Sequence, residues 1–434
     1  MRNEEPLFTV IIPCKNRANY LKHTLRTCMM QKYKNLEVIV SDDGSTDNLR
    51  EVVEEAMSTD PRIRYIQPNN GTGMLNNFEF ALKQVKPGFV IALGGDDGLL
   101  PNGIQGMCDI LIQTGMELLA WPAPAYYYPN TRGISGQLCL YRDKGIKIID
   151  SNKFLTQQAK NLSYSSDIES PMFYVKGVVS TKLIERVRQR NPNGQFYSCA
   201  VPDGYSGIVL AGEVPKYAYS GTPFSIFGVS PTSQGLTYLS NKEEDKKISE
   251  SFFKSAASKP MHKELASQPY SPLISLMSVD YLLTAKDLPG WGGSFPSIDY
   301  KQVILKGLNE LSFGLYGEDR VTRELKILYH IAVKHGLEDF FRKKVRTSKR
   351  YIQRSPFTGN GIGYGKKTYG FYLDADAYQI KDIFDAAYAA QNIFQVYSDL
   401  TSWKTLTSAI FRSIVFKLQS IRKGKPFPHE SEWR

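Results

Sequence analysis

The sequence predicts an α/β fold built on a doubly wound, mostly parallel sheet, followed by a mainly helical C-terminal extension. Two observations carry this prediction. Four short apolar runs in the first hundred residues each end in polar residues, and the segments between them repeat apolar residues at helical spacing. Parallel strands need such helical crossovers. The apolar runs are Phe8–Ile12, Leu36–Val40, Ile63–Ile66 and Phe89–Leu93.

Each element has its own local signal. The four strands are almost entirely apolar, which is typical of strands covered on both faces. The first crossover helix repeats Ala18, Leu21 and Leu25, and a third helix is predicted over residues 74–85. The second helix is predicted to begin at Ser45–Asp47, because these residue types cap helices well. Ligands of such sheets bind outside the carboxyl ends of the strands, so the polar ends should converge on one site.

Length and composition indicate an ordinary folded protein of two domains. The chain has 434 residues, of which 42% are hydrophobic and 12% aromatic, and chains of this length usually divide into two cores. We place the boundary after a stretch rich in Ser, Pro and Gly at residues 228–235, giving domains 1–235 and 236–434. Five cysteines without metal-ligand spacing favour a reducing compartment.

Charge and hydropathy limit where the protein is expected in the cell and which partners it is expected to bind. The first residues lack an apolar signal core, and no run approaches eighteen uncharged apolar residues, so we expect a cytoplasmic protein. Most of the net charge of +11 lies in residues 336–434, which favours anionic partners. Residues 410–425 interleave basic and apolar residues at helical spacing. This pattern fits a helix on the inner membrane face, or an amphipathic helix packed on its own domain.

An acidic pair closes the fourth apolar run. Asp96 and Asp97 follow Gly94-Gly95 directly after the predicted strand. Carboxylates are the hard oxygen ligands that Mg²⁺ and Mn²⁺ prefer, and a cation held here would neutralise a departing diphosphate. The alternative is a simple turn, since Gly and Asp dominate turns.

A second acidic pair ends the second apolar run. Asp42 and Asp43 precede Ser45 and Thr46, which already suffice as helix caps, so the acids point to a ligand. An Asp carboxylate can accept a hydrogen bond from N3–H of a pyrimidine base. The alternative is that both acids only open the following helix.

These motifs, in this order and spacing, resemble the family-2 glycosyltransferases, whose nucleotide-binding half is called the GT-A fold. The resemblance covers about residues 6–235. Residues 77–82 are most similar to members that add single sugars, such as bacterial rhamnosyltransferase-like enzymes of cell-surface glycan synthesis, and the Gln-x-x-Arg-Trp motif of processive synthases is absent. The motifs are Thr9–Arg17, Val38–Asp47, Asn70-Gly71, Asn77-Phe78, Ala81-Leu82, and Asp96-Asp97 with Leu100-Pro101.

The resemblance implies a set of site residues. Asp97 is expected as the direct ligand of Mn²⁺ or Mg²⁺, with Asp96 beside it facing the ribose or diphosphate. Two positions depart from the family pattern: Gly94 replaces a third acid, and Asn76 stands where many relatives carry a diphosphate-binding arginine. For Lys15 and Arg17, solvated surface charge is an equal alternative. The expected nucleotide-binding residues are Pro13, Lys15, Asn16, Arg17, Asp42, Asp43, Asn76 and Asp96.

A catalytic base is predicted further along the chain. Asp203 precedes an apolar, helix-like run and then a predicted strand at Val214–Tyr219, a setting similar to that of the family's base aspartate. Carboxylates take the proton of the attacking hydroxyl in such transfers. A Pro-Asp-Gly turn is the alternative reading of the same residues. Asp167 and Glu169 form the fallback pair.

Together these features predict a metal-dependent, inverting glycosyltransferase. It would move one sugar from a nucleotide sugar, UDP-linked by expectation, to a glycan or lipid-linked acceptor in cell-surface polysaccharide synthesis. No nucleic-acid partner is expected, and an oligomer is allowed. Two alternatives stay open: a noncatalytic scaffold that binds sugar nucleotides or glycans, and a sugar-1-phosphate nucleotidyltransferase. The latter needs a Gly-rich loop after its first strand, whereas Pro13–Arg17 contains no glycine.

Overall fold

A computed structural model describes most of the chain. No helix within the described ranges combines the length and apolar composition that crossing a membrane requires. Residues 412–423, which hold most of the predicted membrane-surface pattern, lie outside the described part. The described ranges are 5–69, 71–131, 136–143, 145–238, 243–256, 258–312, 316–351, 361–364, 369–396 and 424–434.

The first hundred residues alternate strands and helices as predicted. All four strands begin at the predicted residue, and they pair in parallel in the order β3, β2, β1, β4. The elements are β1 Phe8–Cys14, α1 Ala18–Met29, β2 Leu36–Asp42, α2 Leu49–Thr59, β3 Ile63–Ile66, α3 Met74–Leu82 and β4 Phe89–Ala92.

The second helix starts later than the sequence predicted. α2 begins at Leu49, with Asn48 as its N-cap. The predicted capping residues serve other partners instead: Ser45 Oγ donates to Asp42 Oδ1 at 2.5 Å, and Asp47 Oδ2 accepts from the backbone N–H of Ala18 at 2.9 Å. The side chain of Asp47 therefore satisfies the first turn of α1 rather than of α2.

The middle of the chain extends the sheet and adds a second one. The main sheet has the strand order β3-β2-β1-β4-β10-β6-β11-β9, in which β10 runs antiparallel to β4 and to β6. This part comprises β5 Gly98–Leu99, α4 Gly103–Thr114, β6 Leu118–Ala120, β7 Ala125–Tyr127, β8 Gln137–Arg142, β9 Ile146–Asp150, α5 Ser151–Asn161, β10 Gly177–Ser180, α6 Thr181–Arg190, α7 Pro202–Ala211, β11 Lys216–Ser220 and β12 Ser225–Val229.

The rest of the chain is mainly helical, as predicted. Two of its strands, β14 and β15, join the second sheet, whose order is β14-β15-β8-β7-β12-β5. The pairing of β15 with β8 is antiparallel. The elements are α8 Gln234–Thr237, α9 Glu243–Ala256, α10 Ile274–Lys286, α11 Tyr300–Ser312, α12 Glu318–Lys334, α13 Glu338–Thr347, β13 Arg350–Tyr351, β14 Gly361–Tyr364, β15 Tyr369–Asp374, α14 Ile383–Val396, β16 Gly424–Lys425 and α15 Glu430–Trp433.

Apolar side chains cover both faces of the main sheet. In β1, Val10 and Ile12 pack into one core and Ile11 packs into the other, and all three are fully buried. This alternation follows from the two-residue period of a strand. Tyr205 of α7 and Tyr281 of α10 lie in the same core as Ile11. The C-terminal helices therefore help to fix α7 against the sheet, while the domain division at residue 235 stays a prediction.

Candidate active site

The two acids at the end of β2 are held by nearby loops. Asp42 is 3% exposed, and its Oδ2 accepts a hydrogen bond from the Tyr65 hydroxyl at 2.8 Å. Asp43 is 4% exposed and accepts from the backbone N–H groups of Thr72 at 2.6 Å and Gly73 at 3.0 Å. Charged acceptors make strong bonds to backbone donors, so Asp43 fixes the entry to α3.

The loop after β1 brings its predicted residues to the same edge. Pro13 is buried within β1, whereas Lys15 is exposed, with its Nζ 3.8 Å from Asp43 Oδ2. Asn16 has a left-handed backbone with φ of 52°, and its Oδ1 accepts from Thr46 N at 2.8 Å. The end of β1 is therefore tied to the end of β2.

Asp97 is built into the backbone around it. Only 1% of its surface is exposed; Oδ2 accepts from Gly94 N at 2.6 Å and Oδ1 from Gly228 N at 2.8 Å. Burial, and then the charge of Asp96, raises the pKa of this carboxyl. Gly228 approaches so closely that a Cβ there would lie 1.6 Å from the carbonyl oxygen of Asp96. A larger residue at 228 would push β12 away from the acidic pair.

Asp96 is held on one side by side chains. Its Oδ2 accepts from Ser230 Oγ at 2.6 Å, Ser233 Oγ at 3.0 Å and Arg17 Nη1 at 3.2 Å. Arg17 also donates to the Thr232 carbonyl at 2.6 Å, so it ties the segment 230–233 onto the acid. Among the described residues, none donates a hydrogen bond to Asp96 Oδ1.

The donor set fits a cation that takes most of its ligands from a bound molecule. Within the described ranges, no group of three or more His, Cys, Asp or Glu side chains is placed to hold a metal ion. Asp96 offers a carboxylate oxygen, Oδ1, that accepts from no donor in the described ranges, whereas both oxygens of Asp97 accept from backbone N–H groups. The assignment of Asp97 as direct ligand stays a prediction, and these bonds favour Asp96 instead.

Asp203 lies at the start of α7, as the sequence predicted for a helix there. Its side chain keeps some exposure, and Oδ1 accepts from Gly204 N at 2.8 Å. Burial raises the pKa of the Asp203 carboxyl above its ordinary value, and the backbone hydrogen bond opposes this shift. Burial raises the pKa values of five tyrosine hydroxyls, and the charge of Asp203, among other groups, raises them further: Tyr164, Tyr174, Tyr197, Tyr270 and Tyr281.

Tyr174 links the acidic pair to Asp203. Burial raises the pKa of its hydroxyl well above 10, and the charges of Asp97, Asp96 and Asp203 raise it further. A Cβ on Gly94 would lie 2.5 Å from this hydroxyl and 2.8 Å from Asp97 Oδ2. The predicted metal residues and the predicted base therefore lie near the same residue, Tyr174.

The remaining predicted residues lie apart from this centre or have structural partners. Asn76, on α3, is exposed and donates to the Thr72 carbonyl at 2.9 Å. In the fallback pair, Asp167 Oδ2 accepts from Gln158 Nε2 at 2.7 Å, and the Glu169 carbonyl accepts from Tyr217 at 2.7 Å. These bonds give the fallback pair a role in packing.

Sequence reasoning missed several residues that complete the site. Ser230 and Ser233 contact Asp96 from more than 130 residues away along the chain. Thr24 of α1 donates to the carbonyl groups of Gly95 at 3.0 Å and Asp97 at 2.6 Å. In the sequence, the segment 228–235 is marked only by its Ser/Pro/Gly composition. Composition alone cannot distinguish a linker from a segment that lines the site.

Comparison with known proteins finds similarity in the N-terminal part of the chain. A sequence model of the family described as "Glycosyl transferase family 2" matches residues 9–171. An uncharacterized glycosyltransferase of Rickettsia conorii is 38% identical over 105 residues, covering 24% of this chain and 17% of that protein. A GalNAc(5)-diNAcBac-PP-undecaprenol beta-1,3-glucosyltransferase of Campylobacter jejuni is 36% identical over 101 residues, covering 23% and 33%.

The aligned segments span between a tenth and two fifths of such curated relatives. Among solved structures, residues 1–349 of S. aureus TarS in complex with UDP-GlcNAc align with a TM-score of 0.44 and 15% identity, over 84% of this chain and 99% of that one. The family match covers β1 to β4 and both acidic pairs that follow the strands. Residues 9–171 are therefore similar to glycosyl transferase family 2.

Proposed function

We propose that this protein is a metal-dependent, inverting glycosyltransferase that moves one sugar from a UDP-linked donor to a glycan or lipid-linked acceptor. The observation that supports this most is the position of Tyr174: its hydroxyl lies against Gly94 beside the acidic pair, and the neighbouring Phe173 donates its N–H to Ser206 of α7, the helix that carries Asp203. This position supports one site for the acids suited to a diphosphate-bound cation and the acid suited to activating a hydroxyl.

In this proposal Asp203 acts as the general base. It takes the proton of the acceptor hydroxyl while that oxygen bonds to the anomeric carbon and the bond from this carbon to the diphosphate oxygen breaks. A base works best when its pKa lies near the working pH, and burial moves the pKa of Asp203 upward from an acidic value. Attack from the face opposite the leaving group inverts the configuration.

Asp96 is the proposed metal-binding carboxylate, and Asp97 the positioning one. Asp97 accepts from the backbone N–H groups of Gly94 and Gly228, so the turn 94–97 is fixed and holds Asp96 in place. A bound Mn²⁺ or Mg²⁺ would neutralise the charge that develops on the leaving diphosphate. Arg17, which contacts Asp96 at 3.2 Å, is placed to move its charge toward the diphosphate.

The nucleotide is proposed to bind along the ends of β1 and β2. Asp42 would accept from the uracil N3–H in place of the Tyr65 hydroxyl, and Lys15 and Asn16 would line the ribose. Asn76 of α3 would contribute to nucleotide binding only by giving up its hydrogen bond to the Thr72 carbonyl.

The proposal also includes the class of acceptor and the location of the protein in the cell. One relative is named for a lipid-linked diphosphate acceptor, which supports an acceptor of that class here. The basic C-terminal region, with Arg342, Arg346 and Lys349 described, would bring a cytoplasmic protein to anionic lipids on the inner membrane face. The rhamnosyltransferase-like subgroup stays a prediction.

Turnover of nucleotide sugars tests the proposed activity. A panel of UDP- and other nucleotide sugars is incubated with the protein, Mn²⁺ and candidate acceptors, and nucleoside diphosphate release is measured. We expect release from one donor class, abolished by EDTA and restored by added Mn²⁺. Binding without release would favour a scaffold, and pyrophosphate release from a nucleoside triphosphate would favour a nucleotidyltransferase.

A further inference from the structure

A polar cavity of about 70 Å³ opens between the start of α3 and the end of α9. A single water needs roughly 10–15 Å³, so the space admits a group of phosphate size. Its walls include Asn76 from α3, Ala200 from the segment before α7, and Lys259 from the segment after α9. Of the described lining residues, Lys259 is the charged one, and none carries a carboxylate.

The Lys259 ammonium has no ion-pair partner among the described residues, and its side chain is partly buried. Burial lowers its pKa, and the nearby Cys199 and Glu79 only partly oppose that shift. Glu79 is already paired with Arg188 at 3.0 Å and accepts from Phe196 N at 3.0 Å. A desolvated cation of this kind gains most from an anionic ligand.

The cavity lies between the two halves of the proposed site. On one side, Thr72 and Gly73 line it and donate their backbone N–H groups to Asp43. On the other side, Ala200 lines it three residues before Asp203. A donor with its nucleoside at the strand ends and its sugar at Asp203 would run past this cavity with its diphosphate.

We propose that Lys259 binds the diphosphate of the nucleotide donor. This inference rests on the proposed function and assigns a residue outside the family match at residues 9–171 to the donor site. It also gives the C-terminal region a direct part in donor binding.

Calorimetric titration with UDP and with uridine tests the assignment, each with Mn²⁺ present. We expect Lys259→Ala to weaken UDP binding at least tenfold, the order for losing a hydrogen bond to a charged group, and to leave uridine binding unchanged. Lys259→Arg should recover part of the loss. Lys254→Ala is the matched control, because Lys254 is exposed on α9 and does not line the cavity.

The outcomes separate this inference from the proposed function. If the wild type binds UDP and Lys259→Ala binds it equally well, the inference is wrong and the proposed function stands. Equal losses for UDP and uridine would also overturn it, because they indicate a packing role. If only inorganic pyrophosphate binding depends on Lys259, the cavity serves a phosphate other than the donor's. If the wild type binds no nucleotide or nucleotide sugar, both proposals fail.

Discussion

The acids at the ends of the strands differ from Asp203 in how their charge is stabilised. Asp43 and Asp97 each accept two or more backbone N–H groups, and Asp96 accepts from Arg17 and two serines. Asp203 accepts from the backbone N–H of Gly204, and the buried rings of Tyr164 and Tyr281 lie against Gly204. Donors stabilise a carboxylate, whereas burial favours its protonated form.

This difference teaches how one site can assign two tasks to the same residue type. Acids that accept several hydrogen bonds are held in one orientation, which suits the binding of a cation or the shaping of a loop. An acid with few donors keeps lone pairs available for the proton of an attacking hydroxyl, which suits a base. Neither task could be assigned from the residue identities alone.

The largest effect on sugar transfer is expected for Asp203, the proposed general base. Asp203→Asn removes the proton acceptor, so we expect sugar transfer to fall about 10²–10⁴-fold while UDP binding stays unchanged. Transfer rates and calorimetric binding check the two halves of this prediction. Asp167→Asn in the fallback pair is the matched control and should retain transfer. Loss of transfer in the control alone would move the base to the fallback pair.

A second large effect, on stability, is expected where α3 is linked to the segment before Asp203. Glu79 of α3 is 4% exposed, pairs with Arg188, and accepts the backbone N–H groups of Phe196 and Tyr197. Breaking a buried pair on one side typically costs about 3–5 kcal/mol, so Glu79→Ala should lower the free energy of unfolding by that order.

Urea denaturation measures this loss of stability. The control is Glu54→Ala, which breaks the exposed Arg50–Glu54 pair and should change the stability far less. Similar small losses in both variants would show that the strand ends and the segment before Asp203 are not coupled through Glu79.

The smallest expected effect is a shift in pH dependence. A base acts in its ionised form, so activity should fall as the pH drops through the pKa of Asp203. Because burial raises that pKa above 3.8, the acidic limb of kcat/KM should lie above that value, with roughly tenfold loss per pH unit below it. Rates measured between pH 4 and 8 check this. A flat profile over that range would argue against a buried base.

The parallel half of the fold could be predicted because its signals are local. Strands buried on both faces are continuous apolar runs, and the acids follow them directly in the sequence. The start of α2 was predicted wrongly, since Ser45 bonds to Asp42 and Asp47 bonds to the start of α1.

The rest depends on contacts between distant parts of the chain. The pairing of β8 with β15 and the contact of Ser230 with Asp96 join residues more than a hundred positions apart, and neither leaves a periodic pattern. The roles of Asp96 and Asp97 could not be separated either, because adjacent carboxylates in a sequence carry no record of which one accepts the backbone donors.

Binding of Mn²⁺ in the presence of UDP, followed by electron paramagnetic resonance, tests the central claim most directly. The account predicts one bound Mn²⁺ per chain in the wild type, retained in Asp203→Asn and lost in Asp96→Asn. Undiminished Mn²⁺ binding by Asp96→Asn would contradict it.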